Sequence, residues 1–334
     1  MTNPLRVAVV GTGVLGRRLG HMAGATADTD VVAIAEVSPE TCAASGEALE
    51  VPEAARYAEY ETMLDEVDLD AVIIATPHAF HYEQTVAALD RDLHVLCEKP
   101  LTIDLEDARD LVERSEAGEA VLQVGYQRHT SGPYVAARDH LESFENVRFV
   151  TASITQNWID QQEGTWRANP DLSGGGQLYD TGSHVIDVVL WASGLTPTAV
   201  DASMVFWDEA ERVDTQAALD VEFAEDAVAS IAVSGDAPQV REHLRFWGDD
   251  GAVYVDGRDW NDREVRTVDP DGAERYPTLY DRDLPANKVE AFVAAIRDGT
   301  EPPATARHAY AVTAVTEAAY ESARTGRRVE VDTR

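Results

Sequence analysis

The sequence predicts an α/β protein in two parts. A doubly wound parallel sheet comes first, then an α+β domain with a large, open-faced, mostly antiparallel sheet. Three observations carry this. Short, uninterrupted apolar runs recur at 6–10, 31–35, 71–75, 93–97 and 121–124 with helical patterns between them, as expected of strands buried on both faces. From about residue 147 the pattern changes to alternation, as in Ala218-Leu219-Asp220-Val221-Glu222-Phe223, which suits strands with one wet face. The 334 residues, 44% of them hydrophobic, suffice for two cores, assigned to 1–128 and 129–334.

The first run, Arg6 to Val10, leads into Gly11-Thr12-Gly13-Val14-Leu15-Gly16, then a helical pattern to about Ala23. The second run ends at Glu36, twenty residues past Gly16. A G-x-G-x-x-G that follows a strand, opens a helix and precedes such an acid is a dinucleotide fingerprint, so this half reads as a Rossmann domain. Gly11 permits the turn, Gly13 lets the backbone approach a pyrophosphate, and Gly16 lets helix and strand pack. The backbone N–H groups of Val14 and Leu15 open the helix that faces the phosphates. Glu36 would accept hydrogen bonds from a ribose and repel a 2′-phosphate, which favours NAD over NADP.

Residues 53–66 read as an acidic helix. The third run ends at Thr76-Pro77, at the carboxyl edge where such sheets bind ligands, and His81 opens the next helix as either a cap or a contact. The fourth run ends at Cys97-Glu98-Lys99-Pro100. Only two lysines occur in the chain, Lys99 and Lys288, and Lys99 sits at a strand's carboxyl end, where a lysine can exchange a proton as arginine cannot. Pro100 holds Lys99 extended, with the isomer of their bond left open. Cys97 reads as a core residue. Residues 102–117 form an acidic helix, and Gly125 to His129 follow the last strand.

In the second half, Gly174-Gly175-Gly176 precedes Gln177-Leu178-Tyr179-Asp180-Thr181-Gly182-Ser183-His184, and the apolar run Val185–Trp191 reads as a helix closing at Gly194. Asp180 and His184 are four apart, on one helical face. Two readings fit: a carboxylate orienting a general-base imidazole, or a capping Asp followed by a buried, structural His. Asn287-Lys288-Val289-Glu290 reads as a helix cap, which makes Lys288 a surface residue. A final helix spans about 305–324.

Charge is extreme: 61 acidic residues against 27 basic, net −34. Self-repulsion on this scale suits a salt-rich cytosol and argues against nucleic-acid or anionic-membrane partners. No apolar run is long enough for a membrane span, the N-terminus reads directly into a strand with no secretory signal, and two cysteines make no disulfide framework. A reduced cytoplasmic location is the expectation. No His, Cys and carboxylate spacing resembles a metal site, and no nucleophilic Ser or Cys constellation appears.

These motifs together resemble the glucose–fructose oxidoreductase and inositol dehydrogenase family, Gfo/Idh/MocA, nearly end to end. The resemblance rests on the glycine loop, Thr76-Pro77 with His81, Cys97 to Pro100, Val124 to Arg128, Trp166-Arg167 and Gly174 to Asp187, and on the closing segment around Phe292–Gly299 and Glu301-Pro302. It implies nicotinamide at the carboxyl edge, with Thr76, Pro77, His81, Glu98 and Lys99 near it, and Lys99, Asp180 and His184 as the catalytic group. It also implies a sugar, inositol or polyol substrate, homodimers or homotetramers joined through the sheets, and, with the charge, a halophilic archaeal source. Tyr126, Arg128, Trp166 and Arg167 are candidates for the substrate rim. A redox-assisted glycosidase and a non-catalytic nucleotide binder are the alternatives. Two departures touch loops: Asp92 stands where a helix-ending glycine is usual, and Ser143 to Asn146 replace a Gly-x-x-Gly.

Overall fold

The computed structural model describes residues 3–260, 262–279 and 284–333. In order, the elements of the first half are β1 (Leu5–Val10), α1 (Val14–Ala25), β2 (Thr29–Ala35), α2 (Pro39–Ala48), β3 (Arg56–Tyr57), α3 (Tyr60–Glu66), β4 (Ala71–Ile74), α4 (His81–Leu89), β5 (His94–Cys97), α5 (Leu105–Ala117) and β6 (Leu122–Val124). There follow α6 (Gly132–Leu141), β7 (Val147–Asn157), α7 (Ile159–Gln162), α8 (Pro170–Ser173), a π-type turn (Leu178–Gly182) and α9 (Ser183–Ser193). The strands β8 (Pro197–Phe206), β9 (Asp214–Phe223), β10 (Val228–Ser234), β11 (Asp236–Gly248), β12 (Gly251–Arg258), β13 (Asp262–Val268) and β14 (Glu274–Arg275) come next. Helices α10 (Lys288–Asp298) and α11 (Ala306–Thr325) and strand β15 (Val329–Glu330) close the chain.

Two compact units result, one of residues 1–127 with 285–309, the other of 128–284 with 310–334. The sequence reading placed all of 129–334 in one domain. The segment 285–309 belongs to the first unit because Val289, Phe292 and Val293 of α10 sit in one apolar cluster with Leu5, Val7, Val9, Leu19, Ile34, Ile73 and Leu96. Each such side chain contributes about 1.5–3 kcal/mol on burial.

The first unit's sheet has the order β3-β2-β1-β4-β5-β6, every pair parallel. The order reverses between β1 and β4, and ligands of such sheets bind beyond the strand ends at that point. Residues 53–66 are not one helix. Arg56 and Tyr57 pair with Ile34 and Ala35 as a short edge strand, and strand pairing overrides the local propensity. Helix α2 had no apolar stripe to announce it; its buried residues are Ser45 and Gly46. Asp104 caps α5 through the Glu106 and Asp107 amides, and Asn287 caps α10 through Val289 and Glu290.

The second unit's sheet runs β14-β13-β12-β11-β7-β10-β9-β8-β15 and is antiparallel except for β7 with β10. Alternation holds: along β9 Ala217, Leu219, Val221 and Phe223 are buried while Gln216, Asp220 and Glu222 are exposed. The open face carries Phe149, Val205 and Val228 among small and polar residues. Asp92 adopts the left-handed conformation at φ 58°. No helix among the described residues is long and apolar enough to cross a membrane.

Candidate functional site

In the first unit, the glycine loop separates packing from binding. Gly11 has φ 79°, and a Cβ there would stand 2.7 Å from the Thr76 methyl. A Cβ on Gly16 would overlap the Gly11 carbonyl oxygen, so both glycines serve the turn itself. Gly13 differs, because a Cβ there would meet nothing within 4 Å. Gly13 caps α1 without a side-chain hydrogen bond, and the first turn holds no acid. Val14 is exposed, and Leu15 packs its side chain on the core, leaving the helix start open. Free amides, the helix dipole and open space suit a pyrophosphate.

Glu36 lies at the end of β2, half-buried, and accepts the Thr12 amide at 2.9 Å and the Ser38 amide at 3.0 Å. Its carboxylate is thereby fixed against the loop with acceptor capacity left for a ribose. These residues fit a dinucleotide.

Thr76 and Pro77 are half-buried at the end of β4, and the Thr76 hydroxyl donates to Gln84 at 2.7 Å. His81 is a strut rather than a contact. Its ring is fully buried, with Nδ1 2.8 Å from the Pro100 carbonyl and Nε2 3.0 Å from the Thr76 carbonyl. Burial lowers its pKa against the pull of those carbonyls. The imidazole thus lies between the ends of β4 and β5, donating its one N–H to one of the two carbonyls, with neither nitrogen turned to solvent.

Lys99 is half-buried and joined to Pro100 by a cis bond. Burial pushes the Cys97 thiol up to about 12, as befits an inert core residue. Glu98 is turned into the protein. It is 4% exposed, bonds the Lys288 ammonium and accepts the Lys99 amide at 3.3 Å. Lys288 is therefore not a surface residue, because its side chain turns inward from the first residue of α10. Tyr126 is 1% exposed and edge-on to His308 at 6.4 Å, a packing residue and not a rim.

In the second unit, Arg128 is also no rim residue. It is buried, and its guanidinium pairs with Glu242 at 2.8 Å and with the Tyr134 hydroxyl at 3.2 Å. Arg263 pairs with the same carboxylate at 2.7 Å, and together the arginines outweigh burial and hold Glu242 below its usual range. Arg167 and Trp166 lie beside Asp180. Arg167 stacks on Trp166 at 4.4 Å, and its Nε lies 3.4 Å from the Asp180 carboxylate.

Asp180 lies in the π-type turn, and His184 is the second residue of α9 that follows. Both are buried, at 9% and 6% exposure. Trp158, itself 1% exposed, donates its indole N–H to Asp180 at 2.8 Å, a partner that sequence reasoning missed. It also missed Asp214. This carboxylate accepts the Gly176 amide at 3.1 Å, the Leu178 amide at 2.9 Å and the Tyr320 hydroxyl. A Cβ on Gly176 would overlap the Asp214 backbone, and one on Gly175 the Tyr320 hydroxyl. The glycine run is the seat of the turn. Asp187 is a buried partner of His129 at 2.8 Å. A fixed carboxylate four residues before an imidazole can serve proton transfer, and a half-buried ammonium at a strand end can polarise an oxygen.

Residues 5–126 match the model of an oxidoreductase family with an NAD-binding Rossmann fold, Gfo/Idh/MocA, and residues 134–254 match the C-terminal domain of the same family. The chain is 29% identical to D-xylose 1-dehydrogenase (NADP(+)) 2 of Haloferax volcanii, over 97% of this chain and 99% of that one. It is 26% identical to the inositol 2-dehydrogenase of an Arthrobacter species, over 99% and 97%. Among solved structures it is similar in fold to aldose-aldose oxidoreductase from Caulobacter crescentus, with TM-score 0.86, 24% identity and coverage of 98% and 100%. With both halves matched by models of one family, the chain belongs to the Gfo/Idh/MocA oxidoreductases.

Proposed function

We propose that this chain is an NAD(P)-dependent dehydrogenase that oxidises a hydroxyl of a sugar, inositol or related polyol. The observation that carries the reading is a division of labour. One unit offers an open, uncapped glycine loop with a lysine at the same sheet edge, and the other a tethered Asp180 four residues before His184. When bound, the nicotinamide supplies the acceptor for the hydride that leaves the carbinol carbon. His184 takes the hydroxyl proton. Asp180, held by Trp158 and Arg167, fixes the orientation of the imidazole. Lys99 polarises the substrate oxygen and steadies charge that develops on it. Trp166 offers an aromatic face to the apolar face of a sugar ring, and Arg167 holds Asp180 from the rim.

The test is turnover of a panel of sugars, inositols and sugar acids in molar salt, followed as NADH or NADPH formation. His184→Ala should lower kcat by at least about 100-fold, the low end of general-base effects, with nucleotide binding retained. Unchanged kcat removes His184 from the mechanism.

Glu36 supports NAD as the preferred nucleotide, since its charge repels a 2′-phosphate. NADP is the second reading, favoured by the name of the Haloferax relative; the ratio of kcat/KM for the two nucleotides decides. The open face of the second sheet, with Phe149, Val205 and Val228 exposed, supports assembly into dimers or tetramers through that face. The acidic composition supports a cytoplasm rich in salt.

A further inference from the structure

The proposed catalytic set leaves the second lysine unused. A chain that carries arginine at nearly every cationic position keeps only two lysines, and the fold brings both to Glu98. Lys99 follows it in sequence, and Lys288 reaches it from α10 across 190 residues. Lys288 is 8% exposed. Its ammonium bonds Glu98 and donates to the Gly125 carbonyl at 3.1 Å, while its own carbonyl accepts the Gln123 side chain at 2.8 Å. Gly125 in turn donates its amide to Cys97 at 2.7 Å. Space is tight here: a Cβ on Gly125 would stand 2.8 Å from Glu98 Oε2, the oxygen that accepts the Lys99 amide.

From these contacts we infer that Lys288 is a positioning residue for Lys99, acting through Glu98. The compact ammonium with three donors serves two acceptors in a space that a planar guanidinium does not match. It locks the ends of β5 and β6 to α10, it neutralises the carboxylate beside Lys99, and the other oxygen of that carboxylate pins the Lys99 backbone. The inference rests on the proposed role of Lys99, but the clamp itself has a separate readout.

Lys288→Met leaves a buried, uncompensated carboxylate and can fail to fold. The double variant Glu98→Gln with Lys288→Met removes both charges and keeps the protein foldable. If Lys288 acts through Lys99, the folded double variant loses at least about tenfold in kcat with polyol KM within about twofold, in line with the cost of a small misplacement. The second readout is the NMR spectrum of protein labelled with 13C at lysine Cε, which holds two lysine signals in the wild type and Lys99 alone in the double variant. The Lys99 signal, assigned with Lys99→Arg, should move and narrow as the side chain gains freedom. A double variant with wild-type kcat overturns the inference. So does a Lys99 signal at its wild-type position and width, because the effect then does not pass through Lys99. Should the wild type oxidise no polyol, the proposed function fails while the NMR signal still decides the clamp.

Discussion

Trp158→Phe isolates the tether on Asp180. The substitution keeps an aromatic ring in a fully buried site and deletes one N–H, which lies 2.8 Å from the Asp180 carboxylate. A hydrogen bond to a charged group contributes about 1.5–3 kcal/mol, and here the acceptor is buried, with the Arg167 guanidinium also 3.4 Å from it. The smaller ring also leaves part of the indole's volume unfilled, so the single variant loses more than the bond alone. A double-mutant cycle separates the two effects. Trp158→Phe, Asp180→Ala and the combined variant are unfolded with urea in molar KCl, and the coupling energy is taken from the four stabilities. The geometry requires a coupling of about 1.5 kcal/mol or more. A value within about 0.5 kcal/mol of zero, the range found for independent sites, refutes the tether, and with it the claim that Asp180 is held before any substrate arrives.

Three further outcomes follow from the same contacts. Gly13→Ala should cost no more than about 1 kcal/mol of stability, since the new methyl meets open space and only the cap preference is lost, yet weaken nucleotide binding at least about tenfold by calorimetric titration; Gly16→Ala should instead cost about 1–3 kcal/mol in the fold through its overlap with the Gly11 carbonyl. Burial raises the Asp214 pKa from 3.8 to about 6, so the folded state holds a proton that the unfolded state has released between those values. The contribution of Asp214 is therefore greatest below about pH 3 and falls by about 3 kcal/mol in all as pH rises through 6, at 1.36 kcal/mol per unit; the stability of wild type minus that of Asp214→Asn should drop by about 2.4 kcal/mol from pH 4 to 7. Net charge of −34 requires screening, so the melting temperature should climb steeply from low salt to molar KCl.

What the sequence disclosed was what local chemistry dictates. Buried parallel strands must be apolar runs, and a tight strand-to-helix turn must be glycine, so β1, β4, β5, β6 and the nucleotide loop were visible. The cap at Asn287 was visible too, with Glu290 reaching back to the Ala286 amide at 2.8 Å. Partners distant in sequence were not. Lys288 at a capped helix start looks solvated until Glu98 is seen beneath it. Arg128 looks like a substrate contact until Glu242, 114 residues on, claims it. His81 at a helix start looks like a cap until both ring nitrogens find carbonyls of the neighbouring strand ends. In each case burial was decided by a polar partner whose position no periodicity encodes.

The glycine run shows how such a partner shapes the chemistry. The turn that carries Asp180 begins without a local capping side chain, and α9 likewise has none. Its free amides are satisfied instead by Asp214, a buried carboxylate supplied by β9, and that carboxylate is held by Tyr320 from α11. For the backbone to reach Asp214 this closely, residues 175 and 176 must lack a Cβ. A negative charge at the start of a helical segment also favours the segment's dipole. The glycines, the distant cap and the π-type turn are thus one device. It places Asp180 at the Trp158 indole N–H while His184 rides on the first turn of a regular helix. Substitutions at Asp214 or Tyr320 should accordingly displace Asp180 and the turn before they disturb α9.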